Sequence, residues 1–193
     1  MKLLLFAASL RKDSLNRKLA RLAADALRAA GASVDHADFH EFDMPLYDGD
    51  LEKAEGLPLG AVALRDRLAA ADGLVLVTPE YNHSIPGTLK NAIDWVSRAR
   101  PVPLKGRPAL LLSASPGLAG GSRASWAVRV PLELLGTFLF PDHFALPRAD
   151  QAFGRDGAFV DPKNQARLEA LVKEYLAFAE AVSALVPRRV VGE

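Results

Sequence analysis

The chain has 193 residues, 50% hydrophobic and 24% charged, the proportions of a soluble globular protein that can bury a full apolar core. It contains no Cys, which excludes a disulfide framework, an iron–sulfur cluster, a thiolate nucleophile and a Cys-ligated zinc. Its 24 Lys and Arg against 23 Asp and Glu leave a net charge of +1, without the global field that draws a protein to nucleic acid or to an anionic membrane.

Residues 1–8 are apolar but too short to span a membrane, and Arg11, Lys12 and Asp13 follow at once, unlike a secretory signal. Residues 2–7 therefore predict a buried first strand in a cytoplasmic protein. Leu15, Leu19, Leu22, Ala26, Leu27 and Ala30 recur at helical spacing, and Gly31 stands where a C-terminal cap belongs. Residues 33–39 alternate imperfectly, as in a strand near a sheet edge. A loop is expected over about residues 40–57, which hold Pro45, Gly49 and Gly56. A second helix is expected over 58–71, with Pro58 in its first turn.

The run Gly-Leu-Val-Leu-Val-Thr at 73–78 is apolar on both faces and predicts a central strand. Leu89, Ala92, Ile93 and Val96 mark a third helix, and residues 109–113 another buried strand. A fourth helix is expected over 122–135, kinked or broken near 128–130 because Pro131 lacks an N–H and clashes with the preceding turn. Residues 138–146 predict a last strand interrupted by Pro141. Leu168, Leu171, Val172, Tyr175, Phe178, Ala179, Val182, Leu185 and Val186 describe a long closing helix, with Arg188 and Arg189 as its basic end. Five strands alternating with five helices predict an α/β three-layer sandwich over 1–193. The expected sheet is parallel and five-stranded, with the flavodoxin-like order 2-1-3-4-5. Ligands of such sheets bind beyond the carboxyl ends of the strands, so the loops after strands one, three and four carry the candidate site.

The first of these loops reads Ser9-Leu10-Arg11-Lys12-Asp13-Ser14-Leu15-Asn16 and leads into a helix N-terminus, where free N–H groups favour an anion. The Ser9 and Ser14 hydroxyls, the Asn16 amide and the Arg11 guanidinium suit a terminal phosphate. Ser14 serves equally well as a plain helix cap, with Arg11 solvated. The second loop, Pro79-Glu80-Tyr81-Asn82-His83-Ser84-Ile85-Pro86-Gly87, is stiffened by two prolines and offers an aromatic and amides to a flat heterocycle. It reads equally as a rigid crossover with Tyr81 packed.

Taken together, these loops resemble the NADPH-dependent FMN reductase family of flavodoxin-like flavoproteins, which includes quinone, azo-dye and chromate reductases. The resemblance rests on residues 9–16, on the long run Pro79-Glu80-Tyr81-Asn82-His83-Ser84-Ile85-Pro86-Gly87-Thr88-Leu89-Lys90-Asn91-Ala92-Ile93-Asp94-Trp95, and on Ser113-Ala114-Ser115-Pro116-Gly117 with Gly120-Gly121. It implies non-covalent FMN, its phosphate among Ser9, Leu10, Arg11, Ser14, Leu15 and Asn16. The ring would rest on Pro79, Glu80, Tyr81 and Asn82, with Ser115 and Gly117 beside it. It further implies NADPH or NADH as electron donor, a quinone-like acceptor, and a homodimer or homotetramer built on the apolar faces of the helices after Gly87 and Ser122. No catalytic side chain is implied, since the flavin supplies the difficult chemistry. Ala8 departs from the family's usual Gly. An electron carrier or a flavin-binding sensor without nicotinamide turnover is the alternative reading.

Other constellations carry less. His36 and His40 flank a strand end and are read as solvated rather than metal-binding, and no serine beside His143 sits in a nucleophile-elbow sequence. Trp95 and Trp126 are read as core or subunit packing.

Overall fold

Three strands are buried along their whole lengths or nearly so: β1 (Lys2–Ala7), β3 (Gly73–Val77) and β4 (Pro108–Ala114). In the computed structural model, which describes residues 1–186, they form the middle of one parallel sheet of order β2-β1-β3-β4-β5. The order is the expected one. The edges are β2 (Ser33–Ala37) and β5 (Phe138–Leu146), both partly exposed.

Strand geometry sends alternate side chains to opposite faces. Leu3, Leu5, Val75, Val77, Leu110 and Leu112 face one layer, with α1 (Leu15–Ala29) and α6 (Pro162–Leu185). Leu4, Phe6, Leu74, Leu76, Ala109 and Leu111 face the other, with α3 (Leu59–Ala70), α4 (Gly87–Val96) and α5 (Ser122–Leu134). In the first layer Tyr175 of α6 is fully buried, and its hydroxyl donates to the carbonyl oxygen of Leu74, 3.0 Å away, with that of Pro108 at 3.2 Å. Arg188 and Arg189 lie outside the described residues.

Several expectations need correction. The expected loop at 40–57 contains α2 (Gly49–Glu55), which buries no residue and so shows no apolar period, and a 3-10 turn spans Phe39–Phe42. That turn has a capping box, in which Asp38 accepts from the His40 N–H and Glu41 from the Asp38 N–H. Phe39 and Phe42 pack on Phe6 at ring separations of 5.6 Å. Among the described residues six α-helices therefore stand where five were expected.

Pro131 does not break its helix: α5 runs unbroken from Ser122 to Leu134. Val128 and Leu132 bury on either side of it, and the Arg129 guanidinium donates to the carbonyls of Phe140 and Pro141 at 2.7 and 2.8 Å. Tertiary anchoring outweighs the one missing hydrogen bond. At Pro141 β5 continues, but its pairing with β4 is interrupted. The register shifts between Ala109 and Leu111 of β4, and Pro141 occupies that irregularity on an edge strand, where its missing N–H is tolerated.

The apolar face of α4 (Leu89, Ala92, Ile93, Val96) lies in the protein's own core and not on a subunit surface. The two tryptophans differ: Trp95 is fully buried, whereas Trp126 is 58% exposed, edge-on to the His143 ring.

Candidate active site

Strands β1, β3 and β4 are neighbours and parallel, so the loops 8–14, 78–86 and 115–121 share the carboxyl end of the sheet, called its upper edge below. In the first loop Ser14 is the N-cap of α1, accepting the Arg17 N–H at 3.3 Å, and the Ser9 and Ser14 side chains are buried. The amides of Leu15 and Asn16, first in the helix, meet no protein acceptor among the described residues. Arg11 is exposed with no carboxylate in ion-pair range there, and Leu10 is half exposed. Ala8, in place of the usual Gly, is buried and continues the strand, its N–H donating to Val77 at 2.8 Å.

The Asn16 side chain, expected to point its amide at a phosphate, is engaged elsewhere. Its Nδ2 donates to the Ala114 carbonyl and its Oδ1 accepts the Ala114 N–H, both at 2.9 Å. This buried two-way pair stitches the start of α1 to the end of β4. Glu80, expected beside a ring, also ties two elements together. Its carboxylate accepts the Arg123 N–H at 3.1 Å in the first turn of α5, with the Arg123 guanidinium at 3.4 Å. A negative charge there complements the helix dipole.

The second loop closes on itself. Tyr81 and Ser84 exchange backbone hydrogen bonds of 2.9 and 3.0 Å, and Asn82 and His83 between them have φ of 50° and 62°. Asn tolerates this left-handed conformation, but His adopts it only at a cost. Pro79 is buried, the Thr78 hydroxyl donates to its carbonyl at 3.1 Å, and Tyr81 is left 45% exposed. In the third loop the Ser113 hydroxyl donates to Gly120 at 2.9 Å, and Ser115 Oγ accepts the Gly117 N–H at 3.2 Å. Gly121 has φ of 88°, and a Cβ there would lie 2.8 Å from the Ser113 side chain, so only glycine closes this turn.

The structure thus brings Ser9, Leu10, Arg11, Ser14, Leu15, Pro79, Tyr81, Asn82, Ser115 and Gly117 to the upper edge, with Asn16 and Glu80 as ties between the loops. A cleft of about 260 Å³ adjoins Leu10 and is walled by Phe39, Phe42, Thr88 and Asn91. Sequence reasoning missed how this wall is held. Asn91 donates to the Pro45 carbonyl at 2.9 Å and accepts the Tyr47 N–H at 2.8 Å, and the Trp95 indole donates to the same carbonyl at 2.8 Å. Asn91 and Trp95 stand one helical turn apart within the run at residues 79–95, but their partner lies far away in the chain.

Open first-turn amides, an unpaired guanidinium and two buried hydroxyls around one helix start form a donor set that fits a phosphomonoester. A stiff neutral turn beside it fits a flat ring, so the residues present fit FMN. The model of the NADPH-dependent FMN reductase family matches residues 1–151. The chain belongs to that family. It is 37% identical over 177 residues to a quinone reductase of Escherichia coli, covering 90% of this chain and 91% of the relative. It is 38% identical over 176 residues to an NAD(P)H-dependent FMN reductase of Pseudomonas aeruginosa, covering 89% and 93%. Among solved structures, the flavoenzyme NAD(P)H:(acceptor) oxidoreductase FerB of Paracoccus denitrificans matches with a TM-score of 0.81 at 32% identity, over 93% of this chain and 97% of that one. Among the described residues no helix is long and apolar enough to cross a membrane.

Proposed function

We propose that this chain is an FMN-dependent NAD(P)H oxidoreductase. It passes electrons from NADPH or NADH through bound FMN to quinone-like acceptors, with azo dyes, chromate and free flavin in the same range. The observation that carries this reading is the three cross-stitched loops of a family member, whose first loop keeps its anion donors open. The whole chain acts as one FMN-binding domain in the cytoplasm, α6 included, since Tyr175 ties that helix to β3 and β4.

Bound FMN would supply the redox chemistry between the nicotinamide and the acceptor. The protein holds and orients. Ser9, Arg11, Ser14 and the amides of Leu15 and Asn16 take the phosphate. The backbone of residues 79–82 supports the ring, and Ser115 and Gly117 border it. Backbone N–H groups beside the ring offset negative charge that develops on it. No side chain needs to act as nucleophile or general base.

Self-association as a homodimer or homotetramer is supported by Trp126, Val130 and Leu134. These exposed apolar residues recur every four positions along α5 and are continued by Phe138. The deciding experiment is an anaerobic absorption spectrum of the FMN-loaded protein before and after NADPH. Flavin bands that bleach, and return on adding a quinone, are the expected result. Bound flavin that stays oxidised would favour the electron-carrier reading, and failure to bind FMN would overturn both.

A further inference from the structure

The outer strand β5 carries a histidine beside the exposed tryptophan of α5. His143 stands opposite Leu111 in the register with β4 and so faces the layer that holds α5. Its ring is half-buried, edge-on to Trp126 with the centroids 6.3 Å apart. At that distance the indole is beyond the ~6 Å at which an aromatic face holds a cation. Three charged groups act on the imidazole: Arg129 from α5, Asp142 beside it on β5, and Arg167 from α6. Both guanidiniums are anchored. Arg129 donates to the Phe140 and Pro141 carbonyls and pairs with Glu133 at 3.8 Å. Arg167 donates to the Ala145 carbonyl at 2.6 Å and lies 4.1 Å from the Phe144 ring centroid. Neither can swing away from a charged imidazole. Burial first, and then the Arg129 charge, hold the pKa of His143 below the usual histidine value.

Trp126, Val130 and Leu134 are exposed at intervals of four along α5, an apolar stripe about 12 Å long at 1.5 Å per residue. No ionisable side chain interrupts the stripe, and Ala127 and Pro131 beside it are small and uncharged. A partner must therefore offer an equally apolar strip. In an antiparallel pairing of two α5 helices about a two-fold axis at Val130, Trp126 of one chain meets the partner's Leu134, and conversely, with the two valines between. Bulky residues at both ends and a small one in the middle make the stripe complementary to itself, which is what a two-fold contact requires.

We propose that α5 pairs with α5 of a second copy and that protonation of His143 releases the pair, so that assembly depends on pH. The proposal rests on the self-association reading above and not on the redox chemistry. The partner's Leu134 seated on Trp126 takes water away from the neighbouring imidazole, and loss of water disfavours the charged form. The associated state therefore takes up a proton less readily than the free chain. Association is then strongest above the free chain's pKa and weakens as the pH falls through that value, where the free chain gains its proton first. A two-fold contact holds two copies of His143, so the effect at each multiplies.

The test is sedimentation velocity of the FMN-loaded protein at pH 7.5 and pH 5.5, at matched salt over a concentration series, read at the flavin absorbance. The dissociation constant of the parent is expected to be about tenfold larger at pH 5.5, roughly threefold for each histidine, with the mass halving as the pair separates. His143→Phe keeps an aromatic edge against Trp126 without a charge and should associate equally at both pH values. Trp126→Ser, at an exposed position, should show the halved mass already at pH 7.5. Circular dichroism and flavin content check the fold of each variant. Equal association of the parent at the two pH values, a His143→Phe variant that still dissociates at pH 5.5, or full mass in Trp126→Ser would each overturn the proposal and leave the self-association reading standing. A parent with the mass of one chain at pH 7.5 would overturn both. Bleaching of the same samples by NADPH reports separately on the redox reading.

Discussion

The loops after β1 and β3 stand side by side yet are built on opposite plans. The first leaves its strongest donors open: Arg11 has no carboxylate in range among the described residues, and the Leu15 and Asn16 amides face no protein acceptor. The second satisfies itself, with Tyr81 and Ser84 paired through the backbone and Glu80 bonded to the start of α5. The proposed function gives this contrast a reason: a loop assigned to an anion keeps its polarity free for the ligand. A loop assigned to a neutral ring is instead rigid beforehand, at the expense of two left-handed residues, Asn82 and His83.

The comparison breaks most visibly at the tie that holds the first loop to the sheet. Asn16→Ala leaves the buried Ala114 N–H and carbonyl unpaired, and urea denaturation should show a loss of about 2–4 kcal/mol. A variant as stable as the parent would mean that the stitch contributes nothing. Arg11→Ala should do the reverse: unchanged unfolding, but FMN affinity about tenfold weaker by fluorescence titration, the loss of one charge-assisted phosphate contact. Unchanged affinity would remove Arg11 from the phosphate site.

Smaller effects test the second loop. His83→Val puts a β-branched residue at a φ of 62° and should cost about 1 kcal/mol more than His83→Gly in thermal denaturation. Equal melting temperatures would argue against a strained turn. Glu80→Gln keeps an acceptor for the Arg123 N–H but removes the ion pair, so its loss should stay under about 1 kcal/mol. A larger one would assign the carboxylate's charge a role beyond capping.

What the sequence made legible was what depends on local pattern. Continuous apolar runs marked β1, β3 and β4, and their order placed the three loops on the upper edge before any motif was considered. What it hid was non-local. Asn16 meets Ala114 across 98 positions and Glu80 meets Arg123 across 43, and nothing near either residue announces its partner. The side chains of Asn16 and Glu80 read as open to a ligand because polar residues in such a loop look alike until their partners are known. The short α2 escaped because it buries nothing, whereas the 3-10 turn at Phe39–Phe42 could have been read from the Asp38 and Glu41 spacing of its capping box. At Pro131 the break that the local rule allows does not occur, because Val128 and Leu132 on either side are packed in the core.

The placement of Tyr175 bears on how the chain is made. Leu110, Leu112 and Phe144 are covered in part by Leu168, Val172 and Tyr175 of α6, and the Tyr175 hydroxyl bonds to a residue 101 positions earlier. During synthesis from the N-terminus, the five strands emerge before the helix that roofs this face. A half-made sheet therefore presents bare aliphatic side chains to water, the condition that invites aggregation or a chaperone. Translation of residues 162–185, rather than pairing of the strands, sets the moment when this face is covered.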